Sequence, residues 1–140
     1  MTDDLSRGFS DLVGLEFTEA DQSYSRGELE VTDELRNPYG VLHGAVLYAM
    51  ADTGMGAAVS AGLDDEQQCA TIEVKISYFE PVESGRVACE TSVLRQGGSV
   101  VYLASELSQA GEGDPQAEER DPQAEETVAH ATGSYAVFTP

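Results

Sequence analysis

The chain has 140 residues, enough for one hydrophobic core and too few for two. Its 26 acidic residues face only 7 basic ones, leaving a net charge of −19, and such a surface repels nucleic acid and anionic lipid, which argues against both as partners. A hydrophobic content of 41% argues against disorder, and no stretch reaches the ~18 uninterrupted apolar residues of a membrane span, so an unexported, cytoplasmic protein is expected.

The N-terminal segment spaces Leu5, Phe9, Leu12 and Val13 as a helix does, predicting a short helix over Asp3 to Val13. Strands are expected around Leu15 to Thr18 and Tyr24 to Val31. From Thr32 to Leu42 the chain reads as loop, with Asn37-Pro38-Tyr39-Gly40 as the turn. His43 to about Ala61 is rich in Ala, Met, Val and Leu and apolar almost all round, the pattern of a buried helix, and Gly62 is placed to stop it.

The run Thr71 to Tyr78 alternates, predicting a strand with Ile72, Val74, Ile76 and Tyr78 on one face. Arg86 to Leu94 and Val100 to Leu107 read as strands joined through Gln96-Gly97-Gly98-Ser99, and a last strand is expected over Val128 to Phe138. Between the last two lies the tandem Asp114-Pro115-Gln116-Ala117-Glu118-Glu119-Arg120, then Asp121-Pro122-Gln123-Ala124-Glu125-Glu126, read as a solvated, disordered hairpin insertion at about 110–126. The order implies an α+β domain spanning 1–140, an antiparallel sheet wrapped around one long helix. Cys69 and Cys89 fall in strands without metal-ligand spacing; they are expected to be small hydrophobes in a reducing compartment, and no metal or cofactor is called for.

Asp52 is the residue that demands an account, because a carboxylate amid apolar helix residues is costly unless paired. It is either a structural group satisfied by hydroxyls or amides, or a positioned base or nucleophile. His43 and Gly44 open the same helix, where unpaired N–H groups can hold an oxygen gaining negative charge. A glycine there lets a carbonyl approach the backbone. His43 and Asp52 are nine positions apart, which sets them on opposite helix faces and about 13 Å apart along the axis. One substrate carbonyl cannot touch both within a chain, so a site shared between two subunits is expected.

The run Asn37-Pro38-Tyr39-Gly40-Val41-Leu42-His43-Gly44-Ala45, with Ala51-Asp52-Thr53 beyond it, resembles the signature of phenylacetic-acid-degradation-type (PaaI-like) hotdog acyl-CoA thioesterases. The resemblance continues through Glu73 to Pro81 and the turn at Gly97, and departs at Ala45, where a second glycine is usual; this is expected to affect substrate fit more than catalysis. It implies a hotdog fold, dimers that often pair into tetramers, and hydrolysis of a small aromatic or short- to medium-chain acyl-CoA. It also implies roles: Asp52 as nucleophile or general base for water, the Gly44 N–H as oxyanion donor, Asn37 orienting water or thioester, His43 holding loop and thioester, and Thr71 as hydroxyl partner of the water or of Asp52.

Coenzyme A is itself anionic, so local cations must offset the acidic chain; Lys75, Arg95 and Arg36 lie nearest the motif or the hairpin turn. Lys75 is the only lysine, and acidic surfaces of this kind look like those of salt-accumulating halophiles. Two rival functions are a hotdog dehydratase or hydratase on acyl-thioesters, and a non-catalytic acyl-CoA-binding module. The helical Asp52 combined with the Asn37-to-Gly44 run favours the hydrolase over both.

Overall fold

The structure, a computed structural model, describes residues 8–109 and 125–140. A short helix α1 (Phe9–Val13) leads into strands β1 (Glu16–Asp21) and β2 (Tyr24–Glu30), then a single 3-10 turn at Asp33–Leu35. The long helix α2 (Gly44–Ser60) follows, and after it come β3 (Gln68–Tyr78), β4 (Arg86–Gln96), β5 (Val100–Gln109) and β6 (Glu126–Phe138). All six strands form one antiparallel sheet in the order β1-β2-β4-β5-β6-β3. Helix α2 touches every one of them, which is the hotdog arrangement of a sheet curled around a central helix. Among the described residues no helix is long and apolar enough to cross a membrane.

The core lies between α2 and the concave face of the sheet. Met50 and Met55 of α2 meet Leu29, Val87, Val101, Leu103, Leu107 and Val128 of the strands, all at most 1% exposed. Two glycines set how closely helix and sheet approach. A Cβ at Gly54 would lie 2.8 Å from Thr91 Oγ1, and one at Gly133 would lie 2.5 Å from Met55 Sδ. Polar groups trapped at this contact are paired, as buried polar groups must be: Ser25 Oγ donates to the Gly54 carbonyl at 2.7 Å, and the Thr91 and Ser105 hydroxyls bond at 2.7 Å.

Several expectations are corrected. Only Phe9–Val13 of the N-terminal segment is described as helix; residues 1–7 lie outside the described residues. Gly62 is not a left-handed stop: Ala61 caps α2 in right-handed conformation, and Gly62 is not among the glycines with positive φ. Gly62 instead allows close packing, since a Cβ there would lie 2.9 Å from that of Gln22. The alternation of β3 is broken by a bulge between Thr71 and Glu73, which leaves Ile72 unpaired and 56% exposed. Helix α2 is not covered all round, because Ala45 and Tyr48 are exposed and Ala49, Asp52 and Gly56 only half-buried along one stripe.

The acidic repeat lies mostly outside the described residues; of its last two residues Glu126 belongs to the sheet and Glu125 immediately precedes it. Glu125 bonds the guanidinium of Arg26 at 3.2 Å and accepts from Ser108 Oγ, and Glu126 begins β6 opposite Gln109. Arg26, a half-buried cation on the outer face of β2 that also pairs with Glu28 and Glu90, gives Glu125 a partner that composition could not indicate. Both cysteines are free thiols, Cys89 buried and Cys69 half-buried.

Candidate active site

The segment before α2 is shaped by Asn37. Its Oδ1 accepts from the backbone N–H of Tyr39 at 2.9 Å and of Val41 at 3.3 Å, and its own N–H donates to the Val41 carbonyl at 2.8 Å. Gly40, at φ 85°, closes the turn by donating to the Asn37 carbonyl. The side-chain oxygen is therefore committed to the loop, and the amide Nδ2 is the only part of Asn37 left to meet a ligand. The loop is fixed at its far end by Leu42 N–H donating to the Val82 carbonyl and His43 N–H to that of Leu35.

His43 is the N-cap of α2. Its Nδ1 accepts from the Ala45 N–H at 2.9 Å, and its carbonyl accepts from Val46 N–H. With Nδ1 engaged as an acceptor, Nε2 is the ring nitrogen left to meet another group. With Ala45 and Val46 satisfied, Gly44 remains the first-turn residue whose N–H has no partner among the described bonds, at the positive end of a 17-residue helix. Tyr78 backs it: the hydroxyl donates to the Gly44 carbonyl at 2.8 Å, and a Cβ at Gly44 would lie 3.2 Å from the ring. Burial, then the nearby Tyr48, raises the Tyr78 pKa, which keeps its phenol a donor.

Asp52 lies two turns further along, half-buried on the open stripe of α2. Thr71 Oγ1 donates to its Oδ1 at 2.7 Å, and the Tyr135 hydroxyl bonds both that oxygen and the Asp52 main-chain carbonyl. Thr71 reaches the helix because of the bulge. Cys69 and Thr71 face α2 before it, whereas Val74, Ile76 and Tyr78 do so after it. Tyr135 is the residue that sequence reasoning missed. Burial, followed by its bond to Asp52, holds its pKa far above the ordinary tyrosine value. No described bond ends on Asp52 Oδ2.

The structure thus brings Thr71 to Asp52 and keeps Gly44, His43 and Asn37 together at the other end of the helix. Gly44 and Asp52 are eight residues apart on a continuous helix, or about 12 Å along its axis. Beside Gly44 opens a cleft of about 270 Å³, lined by Leu42, Leu47, Tyr78, Phe79, Pro81 and Val82, with Glu80 its one charged residue. Of the three cations singled out, Arg36 is engaged by Asp33 and by the Glu83 carbonyl at 3.0 Å, while Lys75 and Arg95 are exposed on the sheet. Among the described residues no group of three or more His, Cys, Asp or Glu could hold a metal ion.

Fold and site together define a hotdog protein with an acid on its central helix and a free amide at that helix's start. The family model of the thioesterase superfamily matches residues 39–115, more than half of the chain, and the chain belongs to that family. It is 29% identical over 86 residues to the proofreading thioesterase EntH of Klebsiella pneumoniae, a match covering 61% of this chain and 62% of that one. A solved conserved protein of Pseudomonas aeruginosa is 29% identical, with a TM-score of 0.81 over 99% of this chain and 100% of that one. A phenylacetic acid degradation-related protein from Ralstonia eutropha, 24% identical, shares the fold with a TM-score of 0.77 over 97% of this chain and 91% of its own. Matches to three curated relatives span 60%, 59% and 64% of those proteins' own lengths.

Proposed function

We propose that the protein is an acyl-CoA thioesterase, hydrolysing the thioester of a small aromatic or short- to medium-chain acyl-CoA to the free acid and CoA. The observation that carries this reading is the state of Asp52. Its Oδ1 is gripped by hydroxyls from two strands, its Oδ2 takes no described bond, and it lies on a stripe of α2 left open by its own sheet. One carboxylate oxygen is thus held in place while the other is left without a protein partner among the described bonds, as a base or nucleophile requires. In the proposed reaction Oδ2 attacks the thioester carbon, the C–S bond breaks to release CoA, and water cleaves the resulting anhydride; or Oδ2 takes a proton from water that attacks and displaces the CoA thiolate directly, the Gly44 N–H holding the oxyanion in either case. Asn37 Nδ2 donates to the water or thioester, and His43 fixes the start of the helix.

A carbonyl under attack must lie within about 3–3.5 Å of its nucleophile and within hydrogen-bonding distance of its oxyanion donor. Two groups about 12 Å apart along one helix cannot both meet that condition. We therefore assign the two halves of each site to different subunits of a homodimer, two of which can pair into a tetramer. The acyl group occupies the apolar cleft beside Gly44, whose volume suits a small acid. Lys75 and Arg95 are the cations available to the CoA phosphates; Arg36 is already occupied. The reading extends to a cytoplasmic protein adapted to high salt, supported by the net charge of −19.

The test is release of free thiol from benzoyl-, phenylacetyl- and hexanoyl-CoA, followed with a thiol reagent. Asp52→Asn is expected to lower kcat by roughly 10²-fold or more with the fold intact. No release from any of the three substrates, or unchanged turnover in a folded Asp52→Asn protein, would reject the assignment.

A further inference from the structure

Resting on the reading of Asp52 as the catalytic carboxylate, we propose that Tyr135 is its positioning residue, whose hydroxyl ties Oδ1 to the helix backbone and leaves Oδ2 as the reacting oxygen. Tyr135 extends from β6 beneath α2 and is 4% exposed. Its neighbour across the β3–β6 ladder is Thr71, so the two hydroxyls that meet Oδ1 come from a directly opposed cross-strand pair. Such a pair holds its hydroxyls at a fixed separation, set by the sheet and not by flexible loops.

The Asp52 main-chain carbonyl alone would satisfy the Tyr135 hydroxyl. Instead the hydroxyl also meets the carboxylate of the same residue. That contact turns Oδ1 back towards the helix and defines one rotamer of the side chain. Without it, Thr71 remains a single tether, around which the carboxylate can rotate. Because burial keeps the phenol protonated well above ordinary pH, the tether persists wherever the enzyme can work. Tyr135 touches no substrate in this assignment; it acts only through Asp52, by holding Oδ2 in line for attack.

The experiment is Tyr135→Phe, which keeps the ring and removes the hydroxyl, assayed beside Asp52→Asn with phenylacetyl-CoA. Tyr135→Phe is expected to lower kcat about tenfold and leave KM within about twofold, because misorientation affects the reacting geometry and not the binding of substrate. A residue that only supports packing would lower the melting temperature and leave the kcat of the folded protein unchanged. An inactive Asp52→Asn protein beside a Tyr135→Phe protein of wild-type kcat overturns this inference alone. Full turnover by Asp52→Asn overturns the underlying reading, and the inference with it. Should Tyr135→Phe not fold, Thr71→Val removes the other donor to Oδ1 from the edge strand. It must then show the same loss of kcat at constant KM, with recovery in Thr71→Ser, and a wild-type kcat in Thr71→Val refutes anchoring of Oδ1 by its hydroxyls.

Discussion

A shared site can be tested by complementation, and the geometry of the loop dictates which variants to use. Asn37→Ala would remove the Oδ1 that accepts from Tyr39 and Val41, so the loop itself would be lost. Asn37→Asp keeps that acceptor, replaces the Nδ2 donor with a second oxygen and adds a negative charge where the thioester would lie. Paired with Asp52→Asn, it damages one half-site in each protein without dismantling either. Each variant alone is expected to be nearly inactive. After subunit exchange, about half of randomly paired dimers are hybrids. Each hybrid carries one site with both defects and one in which Asn37 and Asp52 are intact. Activity should therefore return to roughly a quarter of wild type if the two sites act independently. The assay is thiol release before and after mixing, with exchange followed by mass tags on the two chains. Confirmed hybrids that stay inactive would refute the division of the site between subunits, because a site within one chain always keeps its defect. A protein that is monomeric at assay concentration yet fully active would refute it as directly.

Three further outcomes follow from packing and charge. Gly54→Ala places a methyl 2.8 Å from Thr91 Oγ1, a clash costing about 1–3 kcal/mol against a helix-propensity gain of roughly 1 kcal/mol. The net loss of about 0–2 kcal/mol should lower the melting temperature by up to roughly 8 °C in a thermal scan, and a rise would show that the helix can lift from the sheet without loss. A net charge of −19 predicts a melting temperature that climbs from low salt to molar KCl as self-repulsion is screened; a flat or falling series would count against adaptation to high salt. Burial, foremost, pushes the Cys89 thiol up to about 11 from an ordinary 9.0, so the native state keeps its proton where the unfolded chain loses it. Stability from this group is full below about pH 9 and declines as pH rises towards 11, and native protein should expose at most Cys69 to a thiol reagent at pH 8. Two thiols reacting at equal rates would contradict the buried placement.

The long helix and the lone carboxylate within it were legible because the signals are local. An Ala- and Met-rich run opened by His43-Gly44 has few ways to fold, and a lone acid within it stands out. The bulge in β3 was not legible, since nothing between Thr71 and Glu73 marks it. It arises from pairing with β6, more than fifty residues later, and from the advantage of turning both Thr71 and Val74 towards the helix. Tyr135 was missed for a related reason: strand tyrosines are common, and its partner is 83 positions away. A signal was nonetheless present. The inward positions of β6 run Ala129, Ala131, Gly133, Tyr135, small residues ending in one large side chain with a polar tip. A tyrosine on a buried face needs a partner for its hydroxyl, and Asp52 was the one unexplained acceptor in the core-facing elements. Gly62 misled because a glycine after a helix reads equally as a stop or as a close contact.

The bulged edge strand explains how one element serves two chemically different ends of a helix. Running along α2, β3 sets Thr71 at Asp52 and Tyr78 at Gly44, and those two positions share a face only because of the extra residue at Ile72. In a regular strand Thr71 and Tyr78, seven residues apart, would point to opposite faces, and either the carboxylate or the helix start would lose its support. The same bulge leaves the apolar side chain of Ile72 unpaired and 56% exposed on the edge strand. A monomer that exposes an unpaired strand edge, an apolar side chain and one oxygen of a tethered carboxylate together carries several features that a second subunit would relieve at once. If the site is shared as proposed, the bulge at Ile72 both holds Thr71 against Asp52 and marks the edge a second subunit would meet.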